Sequence, residues 1–377
     1  MYEVKQILHH ARRLRDAGQP CALATVVKIG GSTYRRPGAR MLVDRDGATW
    51  GTISGGCLEG EVAERALEQM KTGVAETHPF ELGEDDIILG FGTGCNGIVH
   101  VLIEPFAAGE AVTPLDWIGD AFASRRPAVM ATVLVATGAW ENQVARHALF
   151  AGDEPMQTSA PLPPDLLNAI RQDARALLDD HSVPDHKQTW QNRVYETATA
   201  SADVLFETVQ PPIRLFVFGE GHDIAPIVRI TRSLGWETWI VGRKPEAELA
   251  RKIPDADRHV FLMHPEEVAS RITPDARTAA FVMNHSYLRD RALLAGLIET
   301  PIRYIGLLGP RSRTERMFVE LAPLSEEVET RIYGPLGLDI GTETPEEIAL
   351  AAIAEAQAAF HGRAGGMLRD RTAAIHS

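Results

Sequence analysis

Residues 214–226, Arg-Leu-Phe-Val-Phe-Gly-Glu-Gly-His-Asp-Ile-Ala-Pro, narrow the possible folds more than any other stretch of this chain. An apolar strand candidate runs into the turn Gly219-Glu220-Gly221, helical spacing follows to Leu234, and a second strand candidate spans Thr238 to Val241. That order opens a Rossmann-type βαβ unit, in which a crossover helix brings the two strands parallel. The pattern departs from a dinucleotide fingerprint twice: Ile224 stands at the third glycine position, and Gly242 stands where an acid would hold a ribose. Arg243 and Lys244 follow, so this strand end suits a phosphate better than a bare diol.

Two further strand candidates, Ala279 to Met283 and Tyr304 to Leu308, run into Asn284-His285 and into Gly309-Pro310-Arg311-Ser312-Arg313. Ligands of open parallel sheets lie at the carboxyl ends of the strands. Gly219, Gly221, His222, Arg243, His285, Arg311 and Arg313 therefore form one candidate binding edge. Beyond it, a helix is expected from Thr344 as cap, with Pro345 at its first position and Glu346 and Glu347 in its first turn. The pair Pro211-Pro212 marks where this half begins.

The first half is organised around Cys57. It lies in Gly51-Thr-Ile-Ser-Gly-Gly-Cys-Leu-Glu-Gly-Glu61, where Gly55 and Gly56 release the backbone and Leu58, Val62, Ala66 and Met70 begin helical spacing that stops at Gly73. A thiol at a helix N-terminus is disposed toward the thiolate and so toward nucleophilic or metal-ligand chemistry, though a small buried turn thiol fits the spacing as well. Cys95 is framed the same way by Gly94 and Gly97, in Gly92-Thr-Gly-Cys-Asn-Gly97. Two such thiols are too few for a closed zinc site, which wants four ligands; a cofactor that brings its own ligands fits better. Between strand candidates Ala22 to Ile29 and Met41 to Val43, a glycine-rich loop carries Arg35 and Arg36. Such a loop can wrap an anion, and an exposed hairpin with solvated arginines is the alternative. His181, Asp185 and His186 lack ligand spacing and read as a polar loop.

A chain of 377 residues is long for one core, and two domains are expected, 1–210 and 211–377, the first including a less regular middle segment. The net charge of −13 argues against broad binding to nucleic acid or acidic membranes. Three cysteines, Cys21, Cys57 and Cys95, are too few for a disulfide framework, and Cys21 at the start of a strand reads as a core thiol. No signal-peptide or membrane-spanning pattern is present, so the expected compartment is the cytoplasm.

Four motifs in order carry a family resemblance: GGCLEGE ending at Glu61, GTGCNG over 92–97, YIGLLG over 304–309 and GPLGLDIGTETPEE over 334–347. Together they closely resemble the XdhC/CoxI family of accessory proteins. The resemblance implies an α/β architecture, an N-terminal XdhC/CoxI domain followed by a C-terminal Rossmann-like parallel-sheet domain. It also implies a chaperone rather than a stand-alone enzyme, one that binds molybdenum cofactor (molybdopterin or its dinucleotide form). The chaperone would present this cargo to a cysteine desulfurase for sulfuration and insert it into a xanthine dehydrogenase-type molybdenum hydroxylase, acting as a homodimer. The family's cysteine maps onto Cys57 and its second glycine-framed cysteine onto Cys95, with no protein metal ligand beyond Cys57 near the molybdenum end. In the combined reading Arg35, Arg36 and the Rossmann edge hold the phosphate or nucleotide part. Departures from the family pattern at Gly242 (many members have Asp) and Asn284 (many have Thr) bear on nucleotide specificity. The competing expectation is an NAD(P)-dependent oxidoreductase with a redox-active cysteine.

Overall fold

The computed structural model describes residues 2–31, 33–81, 97–152, 154–180 and 189–372. Cys95, Gly94 and the 181–186 loop lie outside the described residues. The chain separates into two compact units that divide between Pro211 and Pro212.

The N-terminal unit contains one arrangement twice. The first copy is α1 (Tyr2–Asp16), β1 (Cys21–Gly31), β2 (Arg40–Asp44), β3 (Thr49–Gly51), α2 (Glu59–Thr72), β4 (Glu76–Glu81) and β5 (Gly97–Phe106), with antiparallel strand order β3-β2-β1-β5-β4. The second is α3 (Thr113–Ser124), β6 (Ala128–Gly138), β7 (His147–Phe150), β8 (Gln157–Thr158), α4 (Pro164–Leu178), β9 (Trp190–Glu196) and β10 (Ala200–Val209), in order β8-β7-β6-β10-β9. The long strands β1 and β6 share the same succession of seven buried residues followed by an open end. Each carries a β-bulge at the same position, Val27 and Leu134. Bulges are placed features rather than defects, so this coincidence marks a duplicated design. The middle of the chain, featureless by motif and expected to be less regular, is as regular as the first copy. Its strands and helix simply carry no glycine-framed chemistry.

Alternation along β1 assigns its two faces. Ala22, Ala24 and Val26 pack with Val62 and Ala66 of α2, and in the second copy Val129, Ala131 and Val133 pack with Ile170 and Ala174 of α4. Between the sheets, Val27 and Leu102 meet Leu134 and Leu205, equivalent residues of the two copies. Beside this cluster run two buried polar links that exchange between copies. Arg40, first in β2, donates to Glu207 of β10 (2.8 Å), and His147, first in β7, pairs with Glu104 of β5 (2.6 Å).

The C-terminal unit runs β11 (Arg214–Phe218), α5 (Ile224–Leu234), β12 (Glu237–Gly242), α6 (Glu246–Lys252), β13 (Arg258–Phe261), α7 (Val268–Arg271) and β14 (Thr278–Val282). It continues through α8 (Tyr287–Leu297), β15 (Tyr304–Leu307), α9 (Arg311–Leu321), α10 (Glu326–Glu329), β16 (Ile332–Tyr333) and α11 (Pro345–Phe360). All pairings are parallel, in the order β13-β12-β11-β14-β15-β16. This is the doubly wound Rossmann order, and its topological switch lies between β11 and β14. Leu215 and Val217 face α5 and α11, while Phe216 and Phe218 face α8 and α9, which is why the strands read as continuous apolar runs. Helix α11 starts on a capping box in which Thr344 and Glu347 exchange hydrogen bonds.

Candidate functional site

Cys57 is exposed, in the loop of residues 52–58 between β3 and α2, one position before the helix cap Leu58. The loop is closed by Glu59, the first residue of α2. Its Oε1 accepts from the backbone N–H groups of Ile53 (3.0 Å), Ser54 (2.9 Å) and Gly55 (3.2 Å). Its Oε2 accepts from the N–H groups of Gly56 (2.9 Å) and Leu58 (3.2 Å) and from the Ser54 hydroxyl. Gly55 makes the turn possible: it sits at φ 90°, and a Cβ there would fall 2.9 Å from the Tyr34 ring. The sequence spacing aims the helix start at the thiol, whereas five of the N–H groups around that start converge on a carboxylate from the helix's own first turn.

Burial pushes the Glu59 carboxyl up, but the Ser54 hydroxyl and the N–H groups of Ser54 and Ile53 more than reverse this and hold it at about 2, below its ordinary 4.5. A depressed carboxyl stabilises the fold fully above the unfolded value and loses that contribution as the pH falls through the folded one. The wild type should therefore lose stability relative to Glu59→Gln as the pH drops from 4.5 toward 2, by on the order of 1 kcal/mol after solvent screening of this half-open site. Urea unfolding of both proteins across that range checks it, and parallel curves would contradict it.

The arginine loop meets the cysteine loop through Glu3 of α1. Arg35 pairs with the Glu3 carboxylate, whose Oε1 also accepts from the N–H (2.7 Å) and hydroxyl (2.9 Å) of Thr52. Arg35 thus ties the loops together, while Arg36 and Tyr34 are exposed and Tyr34 lies against Gly55. Cys21 is 3% exposed, and burial, with Glu110 and Asp44 adding to it, pushes its thiol up to about 12, leaving an inert core sulfur.

In the C-terminal unit, Gly219, Gly221, His222, Arg243, His285 and Arg311 lie where the parallel strands end, with His222, Arg243, His285 and Arg311 exposed. The acid absent from position 242 is supplied by the glycine turn: the Glu220 carboxylate accepts from the N–H groups of Arg243 and Lys244. Gly242 leaves room for this arrangement, since a Cβ there would come within 2.9 Å of the Glu220 side chain, which would have to shift. Asp223 Oδ1 hangs over Gly221, and Asp223 Oδ2 lies 3.7 Å from His285 Nε2, across the switch between β11 and β14. Asp223 thus stands at the glycine turn, where the pyrophosphate of a dinucleotide would be cradled, and an acid there fits NAD(P) poorly. Arg313 is committed elsewhere, donating to Asp290 (2.6 Å), a 2% exposed acid that also accepts from the Asn284 amide (2.9 Å). Burial pushes Asp290 up, and Asn284 and Arg313 pull it partly back. Among the described residues no group of three or more His, Cys, Asp and Glu could hold a metal, and no helix is long and apolar enough to cross a membrane.

A duplicated antiparallel unit that presents, among the described residues, one exposed thiol, and a Rossmann-like unit with an acid-lined turn define a protein of two α/β units. Residues 14–81 match the XdhC and CoxI family, and residues 215–356 match the XdhC Rossmann domain. The chain belongs to the XdhC and CoxI family. It is 29% identical over 343 residues to a probable xanthine dehydrogenase subunit of Bacillus subtilis (strain 168), covering 91% of this chain and 94% of that one. It is 23% identical over 359 residues to the molybdenum cofactor insertion chaperone PaoD of Escherichia coli (strain K12), covering 93% and 87%. The crystal structure of a xanthine dehydrogenase from Bacillus halodurans matches with a TM-score of 0.73 and 25% identity, over 95% of this chain and 96% of that one.

Neither the glycine motifs nor the apolar periodicity pointed to Glu3, Tyr34, Glu220 or Asp223. Glu59 is visible in GGCLEGE, but nothing local marks it as the acid that closes the Cys57 loop.

Proposed function

We propose that this protein is a maturation chaperone for molybdenum cofactor, which it holds as cargo at the Cys57 loop. The carrying observation is one exposed thiol on a loop closed by Glu59, with the exposed Arg36 and Tyr34 on the adjoining loop. The donor set fits such a cargo: a soft thiolate suits the molybdenum end, and a guanidinium suits the phosphate. A cargo carrying sulfur ligands of its own needs only one more from the protein, in keeping with the lack of a closed metal site among the described residues. The names of the relatives support the same reading. On it, the cargo is sulfurated by a cysteine desulfurase and passed to a xanthine dehydrogenase-type client, and the chaperone works in the cytoplasm as a homodimer. Cys57, Cys95, Gly55, Gly56, Gly94, Arg35 and Arg36 make up its cargo site.

Cys57→Ala is expected to weaken cofactor retention at least about tenfold, read by native mass spectrometry that reports bound mass and oligomeric state together. Unchanged retention would remove the cysteine from the mechanism. NAD(H) and NADP(H) titrations are expected to be flat, given the Asp223 carboxylate at the glycine turn.

A further inference from the structure

We infer that Glu59 is the positioning residue of Cys57, a role that rests on the cargo-binding reading of that thiol. Six donors of the loop, five backbone N–H groups and the Ser54 hydroxyl, converge on this one carboxylate. No other side chain among the described residues draws so many loop donors together, and its carboxylate spans both sides of the turn that carries Cys57. The thiol direction is thereby set by the Glu59 side chain, since Gly55 and Gly56 impose little direction of their own.

The second copy of the fold shows that the helix start does not need such a carboxylate. There the loop 159–163 between β8 and α4 has no thiol, α4 begins on Pro163 and Pro164, and its first-turn acid, Asp165, accepts from the adjacent Leu166 N–H (2.9 Å) instead of gathering the loop. The same strand-to-helix connection is thus built by proline stiffness where no thiol is presented, and by a carboxylate where Cys57 is. Glutamate suits the task because each carboxylate oxygen accepts several hydrogen bonds, whereas an amide would turn an N–H toward donors. A shorter acid would not span from Ile53 to Leu58.

The test compares full-length wild type, Glu59→Gln and Glu59→Asp by hydrogen exchange of the 52–58 backbone and by native mass spectrometry of bound molybdenum cofactor. Both variants are expected to exchange the loop amides about tenfold to a hundredfold faster while the amides of α2 beyond Val62 keep wild-type protection. Both are expected to retain the cofactor about tenfold less well. Asp keeps the charge but not the reach, so its failure to rescue assigns the effect to geometry. Wild-type loop exchange in Glu59→Gln would overturn the inference, and so would protection lost equally along α2, the mark of a merely structural role. Rescue by Glu59→Asp would overturn it in favour of a charge effect. Should Glu59→Gln fail to fold, Ser54→Ala removes one donor to Glu59 together with the hydroxyl that accepts from the Leu58 N–H (2.8 Å), so the readout is the amides of Ile53, Gly55 and Gly56, and unchanged exchange at these overturns the inference too. If Cys57→Ala keeps the cofactor while Glu59→Gln frees the loop, the cargo reading fails and the positioning role stands.

Discussion

Glu207→Leu is expected to cost the N-terminal unit about 3–5 kcal/mol, because it strands the Arg40 guanidinium in the interior. Arg40 is 4% exposed and Glu207 2%, and the pair is not even fully satisfied: Arg40 Nε and Glu207 Oε1 have no hydrogen-bond partner. The remaining partner of Arg40 is the Gly38 carbonyl at 2.8 Å, which cannot neutralise a charge. A guanidinium keeps its proton at every accessible pH, so the charge cannot be shed to relieve the loss. The double change Arg40→Met with Glu207→Leu removes the charge and its partner together, and should lie within about 1–2 kcal/mol of wild type. Glu104→Leu in the equivalent link should cost less than Glu207→Leu, since it removes the partner of His147 Nε2 while Nδ1 keeps the Thr132 hydroxyl at 3.0 Å. Urea unfolding of the four proteins decides this, with hydrogen exchange assigning the lost protection to the N-terminal unit. Equal, small losses for Glu207→Leu and the double variant would show that Arg40 finds water or another acceptor.

Tyr304→Ala is expected to cost the C-terminal unit about 3–5 kcal/mol, and Tyr304→Phe about 1–2 kcal/mol. The Tyr304 ring is wholly buried, stacked on Tyr333 with centroids 4.2 Å apart and tilted against Phe281 at 5.9 Å. Its hydroxyl donates to the Glu355 carboxylate of α11, which also accepts from the Gly337 N–H at 2.9 Å. Burial first, then Glu355, pushes the Tyr304 hydroxyl far above its ordinary range, so it remains a donor. One tyrosine therefore ties a central strand, the Gly334–Gly341 loop and the last long helix together. Removing only the hydroxyl leaves the ring contacts and deprives Glu355 of one donor; removing the ring empties the site as well. Urea unfolding of the two variants beside wild type measures both costs. A Phe variant as unstable as the Ala variant would mean that the hydrogen bond, not the ring, organises this end of the sheet.

The glycine-rich cysteine loop and the Rossmann edge differ in how much of them could be read from residues alone. The stop at Gly73 and the apolar spacing of α2 located that helix, and the strand-turn-helix at Arg214–Leu234 located the opening of the parallel sheet, because both signals are local. Arg35, Arg36, Arg313 and Glu59 read as charges, and nothing local says whom a charge will meet. Arg35 meets Glu3 and Arg313 meets Asp290, each partner set by chain segments far away in sequence.

Short segments were enough to establish a parallel Rossmann-like unit after Pro212 and a thiol on a glycine turn ahead of a helix, since periodicity and backbone freedom are local properties. Folding in three dimensions was needed to make the first unit one αβββαββ arrangement used twice, with matched bulges at Val27 and Leu134 and exchanged links at Arg40–Glu207 and His147–Glu104. The two copies share buried positions rather than motifs, and a buried position exists only once the sheets have packed. The same holds at Cys57: its neighbours in sequence were plain, but the convergence of five amides on Glu59 is a fact of the folded loop.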